Sequence, residues 1–143
     1  MAKNERLFGA ASAILSFIGF LDAAYLTAKH YIGGALPCLI TSGCDTVTTS
    51  AYSALFGIPI ALFGALYYLS VFIAAIVLLD SGSRFARYYI FLATPFGFLV
   101  SLWLIYLQAF VLNAFCSYCL LSAATSTLLF ILSLLWRRNL ARK

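Results

Sequence analysis

The sequence predicts an all-α integral membrane protein, an up-down bundle of four transmembrane helices. Hydrophobic residues make up 64% of the 143 residues, and the mean hydropathy of +1.03 excludes an ordinary soluble fold. Four apolar runs have the length of about 20 residues that a helix needs to cross a bilayer. Most links between these runs are short, so neighbouring helices are expected to be antiparallel.

The apolar runs place the four helices at about residues 7–28, 58–79, 88–112 and 116–136. The one extended polar segment, residues 29–57, separates the first two helices and is expected to form a loop with a short interfacial helix. We expect residues 1–143 to form a single membrane domain. The first run exceeds the roughly 7–15 apolar residues of a cleaved signal peptide, so we expect it to be retained as a helix.

The charges predict the orientation of the bundle. The net charge is +5, but the charged residues cluster between apolar runs rather than along one element, which argues against nucleic-acid binding. Lys and Arg are enriched in cytoplasmic segments. In the four-span topology Lys29 lies on one side, and the other eight basic residues lie opposite: Lys3, Arg6, Arg84, Arg87, Arg137, Arg138, Arg142 and Lys143. Both termini are therefore predicted to be cytoplasmic, and the 29–57 loop extracytoplasmic.

The four cysteines form two pairs on the predicted extracytoplasmic side, where disulfides form and persist. Cys116 and Cys119 open the last helix, and residues three apart share a helix face, which suits a redox pair. The helix N-terminus favours a thiolate, whereas burial in lipid opposes it. Cys119 lies about 4.5 Å deeper along the axis, nearer to a lipid-dissolved reactant.

Cys38 and Cys44 are separated by five residues in the extracytoplasmic loop, where Gly43 supplies conformational freedom. Residues 45–57 are predicted to form the interfacial helix. Such a loop can expose one thiol to a water-soluble protein and bring the other to Cys116. Electrons would then pass inward by thiol–disulfide exchange.

Three other interpretations of the cysteines stay open. The pair in the last helix can consist of small hydrophobic residues, and Cys38–Cys44 can be a structural disulfide. All four cysteines can in principle bind zinc. The C-x5-C spacing of Cys38 and Cys44 and an oxidising compartment argue against zinc, so no metal is predicted.

Two further polar residues lie at or within the first apolar run. Asp22 is an intramembrane carboxylate, a group that often transfers protons at functional sites. The favoured interpretation is nevertheless an interior Asp that is hydrogen-bonded to a Ser or Tyr of a neighbouring helix. His30 is expected to be an interfacial residue without a special role.

The ordered set of motifs resembles the vitamin K epoxide reductase family, most closely its bacterial and archaeal branch. The set comprises Cys38-x5-Cys44, Ser50, the FGIPIALFG run at 56–64 and Cys116-x-x-Cys119, and the likeness covers nearly the whole chain. The resemblance implies an enzyme of a prokaryotic cytoplasmic membrane. It would oxidise a periplasmic thioredoxin-fold (DsbA-like) protein and reduce a quinone of the menaquinone or ubiquinone type.

The resemblance also implies a role for each site residue. Cys38 would accept electrons from the partner through a mixed disulfide, and Cys44 would relay them to Cys116. Cys119 would lie at the quinone pocket and react with the ring. Ser50 would support the short helix of the loop and the pocket. Many bacterial relatives carry a fused thioredoxin-like domain that this sequence lacks, so the partner is expected to be a separate polypeptide.

Two positions depart from the vertebrate members, which bind vitamin K through an Asn and a Tyr. The corresponding residues here are Ser53 and Ala123, and an alanine side chain cannot donate a hydrogen bond. Quinone reduction is therefore favoured. Reduction of vitamin K epoxide or quinone as the physiological activity is the first alternative. A non-enzymatic membrane scaffold or metal-binding protein is the second.

Overall fold

The computed structural model describes residues 3–32, 54–55, 57–111, 113 and 117–142. It confirms the predicted fold class, because four helices are long and apolar enough to cross a membrane. They are α1 (Lys3–Ile32), α2 (Ile60–Ser81), α3 (Arg84–Tyr106) with a π-helical continuation (Leu107–Val111), and α4 (Ser117–Arg142). The helices extend beyond the apolar runs mainly into charged sequence, since backbone hydrogen bonding continues where the hydrophobic stretch has ended.

The segment that enters α2 differs from the prediction. Strands β1 (Ala54–Leu55) and β2 (Ile58–Pro59) pair antiparallel, and Gly57 between them has a φ of 81°. The predicted interfacial helix is therefore wrong at its C-terminal end, and the second transmembrane helix starts two residues later than predicted. A left-handed glycine followed by an extended proline turns the chain before it can become helical. Residues 33–53, which hold the rest of that predicted helix, lie outside the described residues.

The turn between α2 and α3 consists of two residues. Gly82 adopts a φ of 64°, and its N–H donates to the carbonyl of Leu78 at 2.9 Å, which ends α2. Ser83 begins α3 by accepting a hydrogen bond from the N–H of Ala86 at 3.4 Å. Because the link is so short, α2 and α3 are antiparallel, as predicted.

The helices pack in a closed square. Helix α1 contacts α2 and α4, and α3 contacts the same two helices, so α1 and α3 lie diagonally across the bundle. Large apolar side chains such as Phe96 and Trp103 point outward and are 66% and 58% exposed. Such a surface is unfavourable in water and suited to lipid.

One end of the bundle collects the basic residues. Arg87, at the start of α3, forms a salt bridge of 2.7 Å with Glu5 of α1. Phe8 of α1 stacks on Trp136 of α4, with ring centroids 5.3 Å apart. The start of α1, the α2–α3 turn and the end of α4 therefore meet at this end. Of the Lys and Arg residues that the structure describes, all except Lys29 lie here.

Candidate functional site

Cys119 is the predicted site residue that the structure describes. It is the third residue of α4 and is half-buried. Cys38, Cys44, Ser50 and Cys116 lie outside the described residues. The surroundings of Cys119 therefore define the candidate site.

The first turn of α4 is bonded to a tyrosine of α2. Ser122 and Ser126 follow Cys119 at i+3 and i+7 and share its helix face. The Tyr68 hydroxyl donates to the carbonyl oxygen of Ser122 at 2.6 Å and lies 3.1 Å from the Ser122 hydroxyl. Tyr68 reaches α4 because residue 19 of α1 is a glycine, and a Cβ at Gly19 would overlap the tyrosine ring. This bond holds α4 one turn below Cys119.

A buried carboxyl group of α1 lies at the depth of Cys119. Asp22 is 6% exposed and interacts electrostatically with Tyr68. One turn further out, Tyr25 contacts Tyr118 of α4, with ring centroids 5.2 Å apart. Asp22 thus lies on α1 between the contact of Tyr25 with α4 and the contact of Gly19 with α2. Its interior position beside a tyrosine of a neighbouring helix was expected, whereas the expected hydrogen bond to a Ser or Tyr stays a prediction.

Two further buried hydroxyl groups lie one turn deeper in the bundle than Ser122. The Tyr67 hydroxyl of α2 faces Ser126 of α4 and fits against Gly97 of α3, where a Cβ would overlap it. Neither the Tyr67 nor the Ser126 hydroxyl has hydrogen-bonding geometry with another residue that the structure describes. Buried polar atoms without protein partners are uncommon and frequently belong to sites that bind water or a ligand.

Helix α3 contributes a buried amide. Gln108 lies in the π-helical turn and is 2% exposed. It is the only glutamine of the chain and stands within a predicted transmembrane span, so its position alone marks it as a functional candidate. Tyr68 gave no such signal, because it is one of nine tyrosines and nothing in the sequence shows which of them point inward.

The outer edge of the site is aromatic and carries one basic side chain. The Nζ atom of Lys29 lies 5.9 Å from the ring centroid of Tyr25. The backbone of Lys29 is about 10 Å further along α1 than that of Asp22. His30 packs edge-on against Tyr31 beside it. In the described part of the chain, no Lys or Arg lies at the depth of Cys119. The polar groups at this depth are therefore hydroxyl, amide and carboxyl groups, whose hydrogen bonds are strong in an apolar interior.

Each of the four helices contributes a buried or half-buried polar side chain within about one turn of the depth of Cys119: Asp22, Tyr68, Gln108 and Ser122. We call this set the polar layer. Its apolar surroundings and few convergent polar groups are the composition of a small-molecule site. Hydroxyl and amide groups of this kind can donate hydrogen bonds to the acceptors of an apolar molecule.

A comparison with known protein families identifies the family of the chain. The model of the vitamin K epoxide reductase family matches residues 10–134, a span that contains all four cysteines and most of every transmembrane helix. The match confirms the resemblance drawn from the motifs. The chain therefore belongs to the vitamin K epoxide reductase family and is a multi-pass membrane redox enzyme of that kind.

Proposed function

We propose that the protein is a membrane thiol:quinone oxidoreductase that supports disulfide bond formation. It re-oxidises an extracytoplasmic thioredoxin-fold protein and reduces a quinone. The observation that supports this most directly is the position of Cys119, at the start of a bilayer-spanning helix and inside a buried polar layer. A thiol in this position is accessible to an acceptor dissolved in lipid, whereas a purely structural cysteine needs no polar surroundings.

The residues around Cys119 fit a quinone. A quinone has a flat apolar ring and two carbonyl oxygens that accept hydrogen bonds. The Gln108 amide and the Ser122 hydroxyl supply donors within the layer, and the Tyr67 and Ser126 hydroxyls lie below it. A buried alanine at position 123 suits an apolar ring and offers no hydrogen bond to an epoxide oxygen. The layer does not discriminate between menaquinone and ubiquinone.

The electrons follow a chain of thiol–disulfide exchanges. A thiolate of the reduced partner attacks Cys38 in the Cys38–Cys44 disulfide and releases Cys44. The second partner thiol then displaces Cys38, so the partner leaves with a disulfide and the loop keeps two electrons. Each exchange breaks one S–S bond and forms another.

The loop then reduces the pair in α4. Cys44 attacks Cys116, which releases Cys119 as a thiolate, and Cys38 next displaces Cys116 from the mixed disulfide. Cys119 passes two electrons to the quinone, and the Cys116–Cys119 disulfide forms again. The two protons that the partner's thiols lose equal the two that the hydroquinone gains. Ser50 supports the loop during this transfer.

The direction of transfer depends on the acceptor. A strongly oxidising thioredoxin-fold protein has a reduction potential of about −120 mV. Its re-oxidation requires an acceptor of more positive potential. A membrane quinone is this acceptor.

Anaerobic quinone reduction by the purified protein tests this function. Dithiothreitol is the electron donor, and the quinone absorbance is followed for wild type, Cys119→Ser and a protein-free blank. Ser133→Ala is the matched control, because it alters the same face of α4 four turns deeper. We expect Cys119→Ser to lose at least about 100-fold in kcat, and Ser133→Ala to retain activity.

A wild-type protein that reduces neither menaquinone-type nor ubiquinone-type acceptors would contradict the proposal. Turnover of vitamin K epoxide would then identify an epoxide reductase. Stoichiometric zinc, or cysteines that never change redox state in membranes, would identify a metal-binding protein or an inert scaffold.

A further inference from the structure

The outer end of α3 has an unusual backbone that buries a glutamine. At Leu107–Val111 the helix changes from α to π geometry, and π turns are rare and frequently occur at functional sites. Within this turn Gln108 points inward, 2% exposed, whereas Phe110 points outward, 73% exposed. The backbone thus departs from its most stable helical form where it presents an amide to the bundle interior.

The packing of α3 against α4 gives the depth of this amide. Phe98 of α3 stacks on Phe130 of α4, with ring centroids 4.7 Å apart and an interplanar angle of 15°. The two helices are antiparallel. Ten residues toward the outer end lead from Phe98 to Gln108 and from Phe130 to Leu120, a distance of about 15 Å on each helix. Gln108 is therefore level with Leu120, the neighbour of Cys119.

The arrangement of the helices gives the lateral position. Helices α1 and α3 lie diagonally across the bundle, and α4 contacts both. Asp22 of α1 and Gln108 of α3 thus approach the interior from opposite sides at the depth of Cys119. A ring placed beside Cys119 would have the carboxyl group on one side and the amide on the other.

We propose that the side-chain N–H of Gln108 donates a hydrogen bond to a carbonyl oxygen of the quinone and so determines its orientation at Cys119. This inference rests on the proposed function. A glutamine amide has two N–H donors and one acceptor, so it can bind a ligand while it keeps another interaction within the bundle. A neutral amide also suits this depth, where a charged donor would be costly.

The same hydrogen bond assists the reaction. Negative charge develops on the quinone oxygens as the ring accepts electrons, and hydrogen bonds to charged acceptors are stronger than those to neutral ones. A donor that is already oriented toward the oxygen stabilises this charge without reorganisation. Gln108 is therefore expected to affect both the KM for quinone and kcat.

Gln108→Met tests the proposal, because methionine has a similar length and shape but no N–H donor. Quinone reduction is measured with dithiothreitol and short-chain ubiquinone and menaquinone analogues. We expect kcat/KM for quinone to fall about tenfold or more, as the loss of one buried hydrogen bond predicts. The rate at which dithiothreitol reduces the cysteines without quinone, followed by thiol alkylation, should stay within about twofold of wild type.

Ser101→Ala is the matched control, since Ser101 is a buried polar residue of α3 two turns deeper, and neither rate should change. Infrared spectra of bound, carbonyl-labelled quinone provide a direct readout: the carbonyl stretch should lie at higher frequency in Gln108→Met than in wild type. Gln108→Asn retains the amide on a shorter side chain, and it replaces Gln108→Met if the latter does not fold. The same shift is expected for it, together with a raised KM.

An unchanged carbonyl frequency, or an unchanged kcat/KM for quinone, in a folded Gln108 variant would overturn the proposal. A wild-type protein without quinone reductase activity would contradict the proposed function instead. The two failures are thus distinguishable.

Discussion

At the residue scale, the hydroxyl of Tyr68 connects α2 to the turn of α4 that follows Cys119. It bonds to Ser122 one turn below the cysteine, and its ring occupies the space that Gly19 leaves. Tyr89 forms a hydrogen bond of similar length, 2.7 Å, to Ser70, but this bond joins α3 to α2 away from the polar layer. A comparison of the two tyrosines therefore separates two effects of a lost hydrogen bond. One is lower stability of the bundle, and the other is displacement of the first turn of α4.

Tyr68→Phe and Tyr89→Phe should each lower the free energy of unfolding by about 0.5–1.5 kcal/mol, because each removes one interhelical hydrogen bond. Tyr68→Phe alone should also lower kcat for quinone reduction, by about 3- to 10-fold, since the first turn of α4 can then shift. Thermal unfolding in detergent and steady-state kinetics measure the two effects. Equal losses of activity in both variants would show that Tyr68 has no special positioning role.

The site residues differed in how far sequence could predict them. Cys119 belongs to a Cys-x-x-Cys pattern, whose spacing alone indicates redox chemistry. Tyr68 lies in an apolar run without such a pattern, and its place in the polar layer follows from its bond to Ser122, which is 54 residues away. Gln108 is conspicuous in sequence, but its depth relative to Cys119 follows only from the packing of α3 on α4.

At the scale of elements, α1 and α2 pack closely through small residues. Gly19 is covered by the Tyr68 ring, and Gly64 faces Ala23 across the same interface. A Cβ at Gly19 would overlap the ring, whereas a Cβ at Gly64 would lie 3.7 Å from the Cβ of Ala23, an ordinary contact distance. The two glycines stand in one interface but differ in whether a methyl group fits.

Gly19→Ala should therefore destabilise the protein by about 1–3 kcal/mol, the usual cost of overpacking. It should also lower quinone reduction, since the Tyr68 ring must move. Gly64→Ala should be neutral or slightly stabilising, because alanine favours the helix. The comparison is a pair of melting temperatures in the same detergent. A Gly19→Ala protein that is as stable and active as wild type would contradict this packing.

At the scale of the whole molecule, charge and topology divide the bundle into two ends. The described basic residues other than Lys29 meet at one end, where Glu5 and Arg87 form their salt bridge. The start of α4 lies at the other end, with Cys119 in its first turn. Because positive charge is retained in the cytoplasm, we predict that the Cys119 end faces the extracytoplasmic side.

A membrane-impermeant thiol reagent tests this orientation in intact cells. After mild reduction, Cys38 should be labelled from outside. In a variant whose four native cysteines are replaced by serine, Arg84→Cys should be labelled only after the membrane is permeabilised. The reverse pattern would show that the bundle is inverted, and the proposed partner would then be on the wrong side of the membrane.

The sequence by itself determined the class of the molecule. The length of the apolar runs, the short links and the clustered charges are local properties, and they were sufficient for four antiparallel membrane helices with the basic residues at one end. The spacing of Cys116 and Cys119 likewise indicated redox chemistry at the start of the last helix. The family match over residues 10–134 supports the membrane bundle and a redox activity, whereas the role of the two cysteines stays a prediction.

Only the tertiary structure decided which side chains surround Cys119. In an apolar helix every face can meet lipid or another helix, so hydropathy does not show which face is buried. Tyr68 packs against Gly19 and reaches α4, and Gln108 lies inward in the π turn. The two-residue strands before α2 are too short for any periodic signal. The polar layer is thus a product of packing between helices.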